Sequence, residues 1–150
     1  MEICKADYVD LKEILQLQYL SYQIEAALFD TKDIPPLKQT LDEVIEEFNS
    51  GIVLNMISEK NDIIGSIRAK EKDGTVYVGK LMVHPEYRCR GYGTRLLTEI
   101  EKYFSGRRYE LFTSTKSVDN IVLYQINGYR IFQEKAVDDN LIFVYMEKLL

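Results

Sequence analysis

Apolar positions along this chain run in two periods, helical before Gly51 and extended after it. Residues 3–6 form a short apolar stretch that predicts a strand. Leu11, Leu15, Tyr19, Tyr22, Ala26 and Phe29 then recur at helical spacing, which predicts one long amphipathic helix or a helix with a break. Residues 30–36 contain Asp33 and the pair Pro35–Pro36. A proline pushes the residue before it out of the helical region, so this stretch reads as a loop. Thr40 and Glu43 have the spacing of a capping box, and Leu41, Val44, Ile45 and Phe48 give the inward face of a second helix that ends at residues 49–51.

Residues 52–59, 63–71 and 75–83 are rich in β-branched side chains and are separated by Lys60-Asn-Asp62 and Lys72-Asp-Gly74, both hairpin signals. They predict a three-strand antiparallel meander. A basic loop with two glycines follows, then a helix with Leu96, Leu97, Ile100 and Phe104 inward and Gly106 as its stop. Residues 109–114 read as a strand, 117–127 as a short helix ending at Gly128, and 129–136 with 141–148 as a final hairpin. The order is β-α-α-β-β-β-α-β-α-β-β. Without repeats, low-complexity tracts or linkers, it predicts one α/β domain over residues 1–150. Its sheet is mixed and mostly antiparallel, with about seven strands and four helices.

Composition narrows the chemistry. A chain of 150 residues buries roughly 70% of the surface its unfolded form exposes, enough for a self-sufficient core. Two distant cysteines and one histidine give no disulfide framework and no histidine-built metal site, so no metal is expected. No apolar run approaches the roughly 20 residues that cross a bilayer. The charged N-terminus lacks the apolar core of a signal peptide, so a cytoplasmic protein with no membrane partner is expected. The net charge of −5 is unevenly spread: −7 over residues 1–50, +2 over 51–105 and 0 over 106–150. An acidic chain is a poor nucleic-acid binder, and the basic excess of the middle third calls for an explanation.

That excess gathers around residues 81–97, LMVHPEYRCRGYGTRLL. A strand ends near Val83, and a turn with Arg88, Arg90, Gly91 and Gly93 leads into a helix. The first turn of a helix offers unpaired N–H groups and a partial positive charge to an anion. Glycines there let a phosphate approach the backbone, and Arg88, Arg90 and Arg95 add charge. The helix field contributes only about 0.3–1 kcal/mol per exposed charge, so N–H groups and arginines must carry the binding. Gly93-Thr94-Arg95 lacks the Gly-Lys-Ser/Thr end of a P-loop, and Leu96 replaces the third glycine of the dinucleotide fingerprint. On its own the loop is equally a glycine turn with solvated arginines.

Arg88-Cys-Arg-Gly91-Tyr-Gly93, set between an antiparallel strand and a helix, resembles the Arg/Gln-x-x-Gly-x-Gly/Ala signature of the GNAT superfamily of N-acetyltransferases. Leu81-Met-Val83 resembles that family's fourth strand, and Asn120, Tyr124 and Gly128-Tyr129 fall where it carries its second cofactor segment. The resemblance implies acetyl-coenzyme A as cosubstrate. It places the pyrophosphate on the backbone of Arg88, Cys89, Arg90, Gly91, Tyr92 and Gly93 and the start of the next helix at Thr94. It places the pantetheine arm along Leu81, Met82 and Val83, in a gap between two splayed parallel strands. It further implies that the Val83 N–H polarises the thioester carbonyl, that Asn120 contacts the pantetheine or phosphate region, and that Tyr124 protonates the departing sulfur. Read from the residues alone, Asn120 is a helix cap or first-turn residue and Tyr124 a core tyrosine. Cys89 is given no chemistry of its own.

The resemblance implies a primary amine acceptor, on a small molecule or a peptide, and direct transfer in a ternary complex. Most of an amine of pKa about 10.4 is cationic at neutral pH, so a base or a water chain must collect a proton. Residues 75–83 hold no Asp or Glu, although many family members carry a glutamate there. Glu71, Tyr77, Glu25, Asp30 or a water relay remain open, and His84 before Pro85 reads as a turn residue. The family frames its acceptor pocket with the first two helices, where the −7 lies. Glu25, Asp30 and Asp33 are expected to attract a cationic amine, Tyr22 and Phe29 to pack in the core or else line the pocket, and Asp42, Glu46 and Glu47 to be solvated. A homodimer fits the family, and the alternative function is a non-catalytic module that binds acyl-coenzyme A.

Overall fold

In a computed structural model, which describes residues 1–29 and 34–150, a sheet of seven strands is covered by helices on both faces. Strand β1 (Glu2–Lys5) leads through a short 3₁₀ turn to α1 (Leu11–Phe29), α2 (Pro35–Lys38) and α3 (Leu41–Ser50). The meander is β2 (Ile52–Ile57), β3 (Ile63–Lys72) and β4 (Thr75–Val83). Then come α4 (Tyr92–Glu101), β5 (Arg108–Ser114), α5 (Val118–Ile126), β6 (Arg130–Ala136) and β7 (Ile142–Leu149). The sheet order is β1-β2-β3-β4-β5-β7-β6, and β4–β5 is its parallel pair.

The element order matches the sequence reading, with one helix more among the described residues. Pro35 opens α2 inside the stretch expected to be loop. Proline at a first helical position loses nothing, because that N–H has no intrahelical partner anyway. Helix α4 ends at Glu101, ahead of the expected glycine stop. Gly106 instead lets the chain pass close to β4, since a Cβ there would stand 2.7 Å from Val76 Cγ2. The capping box of α3 is present. The Glu43 N–H donates to Thr40 Oγ1 at 3.2 Å and the Thr40 N–H donates to Glu43 Oε1 at 3.0 Å.

Alternation along β2 shows how the layers form. Leu54 and Met56 join the core under α4, whose Leu96, Leu97 and Ile100 are fully buried. Val53 faces the other way, into a second core with Leu11, Ile14 and Val44 from α1 and α3. Successive strand residues point to opposite faces, so one strand serves two cores. Each such aliphatic side chain contributes roughly 1.5–3 kcal/mol on burial, which pins β2–β4 between the helix layers.

The sheet opens where β4 and β5 part. Their parallel ladder holds only Thr75–Arg108, Val76–Tyr109 and Tyr77–Glu110. Beyond it β4 stays with β3, and β5 pairs with β7 along its whole length to Ser114–Phe143. The register on β3 also slips by one residue: Ser66 faces Met82 while Arg68 faces Gly79. Lys80 and Leu81 therefore oppose Ile67 together, a bulge, with Lys80 at φ 52°. A bulge bends its strand and adds twist, which turns the end of β4 away from β5.

Candidate active site

Two cavities flank this opening. The larger, about 440 Å³, runs from Leu81, Met82 and Val83 to the loop after β4 and the first turn of α4, with α1 and α5 as its other walls. The smaller, about 170 Å³, lies in the gap itself, between Val78–Leu81 of β4, Leu111–Ser114 of β5, Phe143 and residues 34–36. Tyr22, Glu25, Leu81 and Asn120 line both.

Backbone geometry shapes the larger cavity on the side of β4 and the loop that follows it. The His84 N–H donates to the Ile64 carbonyl at 2.7 Å. N–H groups alternate between the edges of an antiparallel strand, so that of Val83 points away from β3, toward the gap. Cys89 at φ 63° and Gly91 at φ 80° curl the loop before α4. The two glycines have different protein neighbours. A Cβ at Gly91 would meet open space, and its requirement is the left-handed backbone. A Cβ at Gly93 would stand 3.2 Å from Leu123 Cδ2, so Gly93 allows α4 to pack against α5.

Of the residues expected to hold a cofactor, all but Arg90 and Tyr124 line this cavity. The Arg90 guanidinium donates to the Glu86 carbonyl at 3.3 Å and lies over the Tyr87 ring. Arg95 also leaves the mouth: it donates to the Met1 carbonyl at 3.0 Å. Arg88 is thus the loop arginine that lines the cavity, joined by Lys116, which sequence reasoning missed. His84 is a turn residue, as expected, its Nδ1 accepting from the Glu86 N–H at 3.1 Å. Glu71 and Tyr77 lie where β3, β4 and β5 are still paired, and they line neither cavity.

Tyr124 lines the smaller chamber, one turn of α5 beyond Asn120. It is also core, edge-to-face with Tyr129. Burial, then the negative charge of Glu25, pushes its phenol pKa well above the usual value. Ser117 is the N-cap residue of α5, which leaves the Asn120 side chain free to reach across to α1. Its Nδ2 donates to Glu25 Oε1 at 2.7 Å. Burial raises the Glu25 pKa, partly offset by the bonds from Asn120 and Ser117 and by the charge of Arg88. Tyr22, expected in the core or lining the pocket, walls both cavities. Asp30 and Asp33, the other residues expected to attract an amine, lie outside the described residues.

Beneath the chamber lies a buried ion network. Arg68, 5% exposed, donates to Glu47 Oε2 at 2.6 Å, to Gln18 Oε1 at 2.7 Å and to Gln39 Oε1 at 3.1 Å. Lys80, which lines the chamber at the bulge, stands 3.7 Å from Glu47. The expectation that Glu47 is merely solvated is therefore wrong. Helical periodicity sets its angle on α3, but whether a cation waits there is decided by β3. Burial pushes the Glu47 carboxyl up, yet Lys80 and Arg68 outweigh it and hold the pKa below the ordinary value. Among the described residues, no group of three or more His, Cys, Asp or Glu side chains is placed to hold a metal ion, and no helix is long and apolar enough to cross a membrane.

A loop of free N–H groups beside a gap between parallel strands, with a buried tyrosine and carboxylate at its inner end, suits an extended anionic donor of an acyl group. The comparisons with known proteins agree. PaiA N-acetyltransferase from Thermoplasma acidophilum, solved with coenzyme A, is 20% identical and superposes at a TM-score of 0.80 over 99% of this chain and 98% of its own. A phosphinothricin acetyltransferase from Sinorhizobium meliloti, solved with acetyl-coenzyme A, is 17% identical (TM-score 0.78, covering 99% and 88%). Ribosomal-protein-alanine N-acetyltransferase from Brucella melitensis is 16% identical (TM-score 0.76, covering 100% of both chains). No curated protein sequence matches. At these identities the likeness is one of fold, but the profile of the Acetyltransferase (GNAT) family matches residues 10–129, most of the chain, and so the chain belongs to the GNAT acetyltransferases and is an acyltransferase.

Proposed function

We propose that this chain moves the acetyl group of acetyl-coenzyme A directly to the primary amine of a small molecule or a peptide, in a ternary complex. The observation that carries this reading is the meeting of two cavities at Tyr22, Glu25, Leu81 and Asn120, one fitted to the donor and one to the acceptor. The backbone N–H groups from Arg88 to Gly93 and the first turn of α4 hold the pyrophosphate, with Arg88 supplying charge. The pantetheine arm extends along Leu81–Val83 in the larger cavity, with its thioester end at the edge of the gap. The Val83 N–H polarises the thioester carbonyl and stabilises the oxyanion formed by attack of the amine.

Tyr124 then protonates the sulfur as the C–S bond breaks. Its raised pKa keeps it a phenol at neutral pH, so the proton moves in concert with thiolate departure rather than before it. The acceptor enters the smaller chamber, where Ile34, Pro35, Leu111 and Phe143 are apolar and Glu25 supplies a negative charge. At about 170 Å³ the chamber admits an amine head with a short apolar body. The solved relatives are named for acceptors as different as phosphinothricin and a ribosomal-protein alanine, so the chamber rather than the fold selects the acceptor.

The test is thiol release from acetyl-coenzyme A against a panel of amines, polyamines, amino acids, aminoglycosides and peptides. Amine-dependent release, an N-acetylated product by mass and intersecting initial-rate lines support the reading. Parallel lines would replace direct transfer by a covalent intermediate. Tight coenzyme A binding without release for any amine would mark a non-catalytic module.

A further inference from the structure

Glu25 is held from two sides. It stands on α1 at the wall common to both cavities, and among the described residues both of its hydrogen-bond donors come from the start of α5. Asn120 Nδ2 donates to Oε1 at 2.7 Å and Ser117 Oγ donates to the same oxygen at 3.4 Å. Oε2 takes neither bond and is the oxygen left for an incoming donor. One of the two Asn120 N–H donors is thus spent on the carboxylate, which fixes the side chain toward Glu25. A carboxylate would be a repulsive neighbour for the anionic donor unless it served the acceptor.

We propose that Glu25 binds the ammonium group of the acceptor and removes its proton, and that Asn120 is a positioning residue that holds Glu25 in place for the transfer. The inference rests on the amine-acetylation reading above. One proton passes from the ammonium nitrogen to Glu25, which leaves a neutral amine. The amine forms the C–N bond to the thioester carbon, the C–S bond breaks, and the proton of Tyr124 goes to sulfur. The second nitrogen proton returns to the Tyr124 oxygen, and Glu25 gives its own to water. One acetyl-coenzyme A and one ammonium ion thus yield one amide, one thiol and one proton. The titration of Glu25 is set by its burial, by the bonds from Asn120 and Ser117 on α5 and by the charge of Arg88 in the loop. Tyr22 on its own helix, Tyr124 on α5, Lys80 on β4 and Lys116 line the same cavities.

The experiment is kcat/KM against pH for two amines of different basicity, together with coenzyme A affinity by calorimetry. The wild type is compared with Glu25→Gln and Asn120→Ala. If Glu25 collects the proton, the rising limb of the wild-type profile lies at the same pH for both amines. Glu25→Gln lowers kcat/KM by about 10²-fold, makes the limb follow the basicity of each amine, and leaves coenzyme A affinity within about twofold. Asn120→Ala removes a bond that favours the charged carboxylate, so the limb moves to higher pH with coenzyme A affinity kept. Should Glu25→Gln fail to fold, Glu25→Asp, which keeps the charge and shortens the reach, gives the same reading through a fall in kcat at unchanged limb. A wild-type limb that already follows the amine, a silent Glu25→Gln, or a tenfold loss of coenzyme A affinity in Asn120→Ala with the limb in place overturns the proposal. Amine turnover with a silent Glu25 overturns this inference alone, whereas absence of turnover with any amine overturns the amine reading and this inference with it.

Discussion

The donor cleft and the acceptor chamber are built by opposite means. Half of the residues lining the cleft come from one stretch of chain, Leu81 to Thr94, whose backbone direction follows from a strand end, a left-handed turn and a helix start. The chamber draws on α1, β4, β5, α5, β7 and residues 34–36, and it works through side chains. Backbone N–H groups are present whatever the sequence, so a loop of the right shape serves every member of a family that shares one donor. Side chains from scattered elements can change one at a time, so an acceptor site can diverge on an unchanged frame.

That contrast can be broken at several points. The largest effect is expected under the chamber. Glu47→Ala strands the buried Arg68, and breaking such a pair costs about 3 kcal/mol, the low end of its range because Glu47 is 38% exposed. By thermal denaturation the midpoint should fall by about 6–12 °C for a domain of this size. The surviving folded protein should keep its coenzyme A affinity while the KM for the amine rises. Loss of coenzyme A affinity as well would show that the two sites are not separately built.

Tyr124→Phe keeps the ring in the core and removes only the hydroxyl. It should lower kcat by about 10²-fold with little change in the melting temperature. Unchanged turnover would reduce Tyr124 to packing. Gly91→Ala probes the cleft: a side chain at φ 80° costs about 1–2 kcal/mol, so coenzyme A affinity should fall about tenfold while the chamber is untouched. An unaffected calorimetric titration would mean that the loop does not bind the donor in this shape.

The smallest effect lies in the pH dependence of stability, where the two carboxylates act with opposite sign. The folded pKa of Glu47 is lowered, so its contribution is present above the ordinary carboxylate value and is lost as the pH falls through the folded value. The folded pKa of Glu25 is raised, so its contribution is present at low pH and is lost as the pH rises through the folded value. Denaturant midpoints measured from pH 3 to 8 should therefore show Glu25→Gln gaining on the wild type as pH rises and Glu47→Gln losing. The same sign for both would refute the assigned environments.

Much of this frame is legible in the sequence. The strand and helix order follows from the period change at Gly51, the hairpin signals at residues 60–62 and 72–74 and the capping box at Thr40, because these are local signals. The donor loop is legible for the same reason, its parts being neighbours in the chain. The role of Arg90 and Arg95 is not: a count of arginines near a turn does not say that one folds back on Glu86 and the other reaches Met1. Nor is that of Glu47, whose partner lies 21 residues away on β3. Asn120 shows the boundary best. Its place on one face with Tyr124 follows from helical spacing, but its bond to Glu25 spans 95 residues and exists only because α1 and α5 meet at the gap.

By itself the sequence determined an α/β fold, its element order, a glycine- and arginine-bearing loop at the end of a strand, and the uneven charge that separates a basic middle from an acidic start. These rest on interactions within a few residues, where spacing is geometry. Only the tertiary structure decided where β4 leaves β5, which cations face Glu47, and that Glu25 stands where the two cavities meet. Those depend on which residues the packing of two cores brings together, and the burial of charge that follows from it cannot be read from the order of residues along the chain.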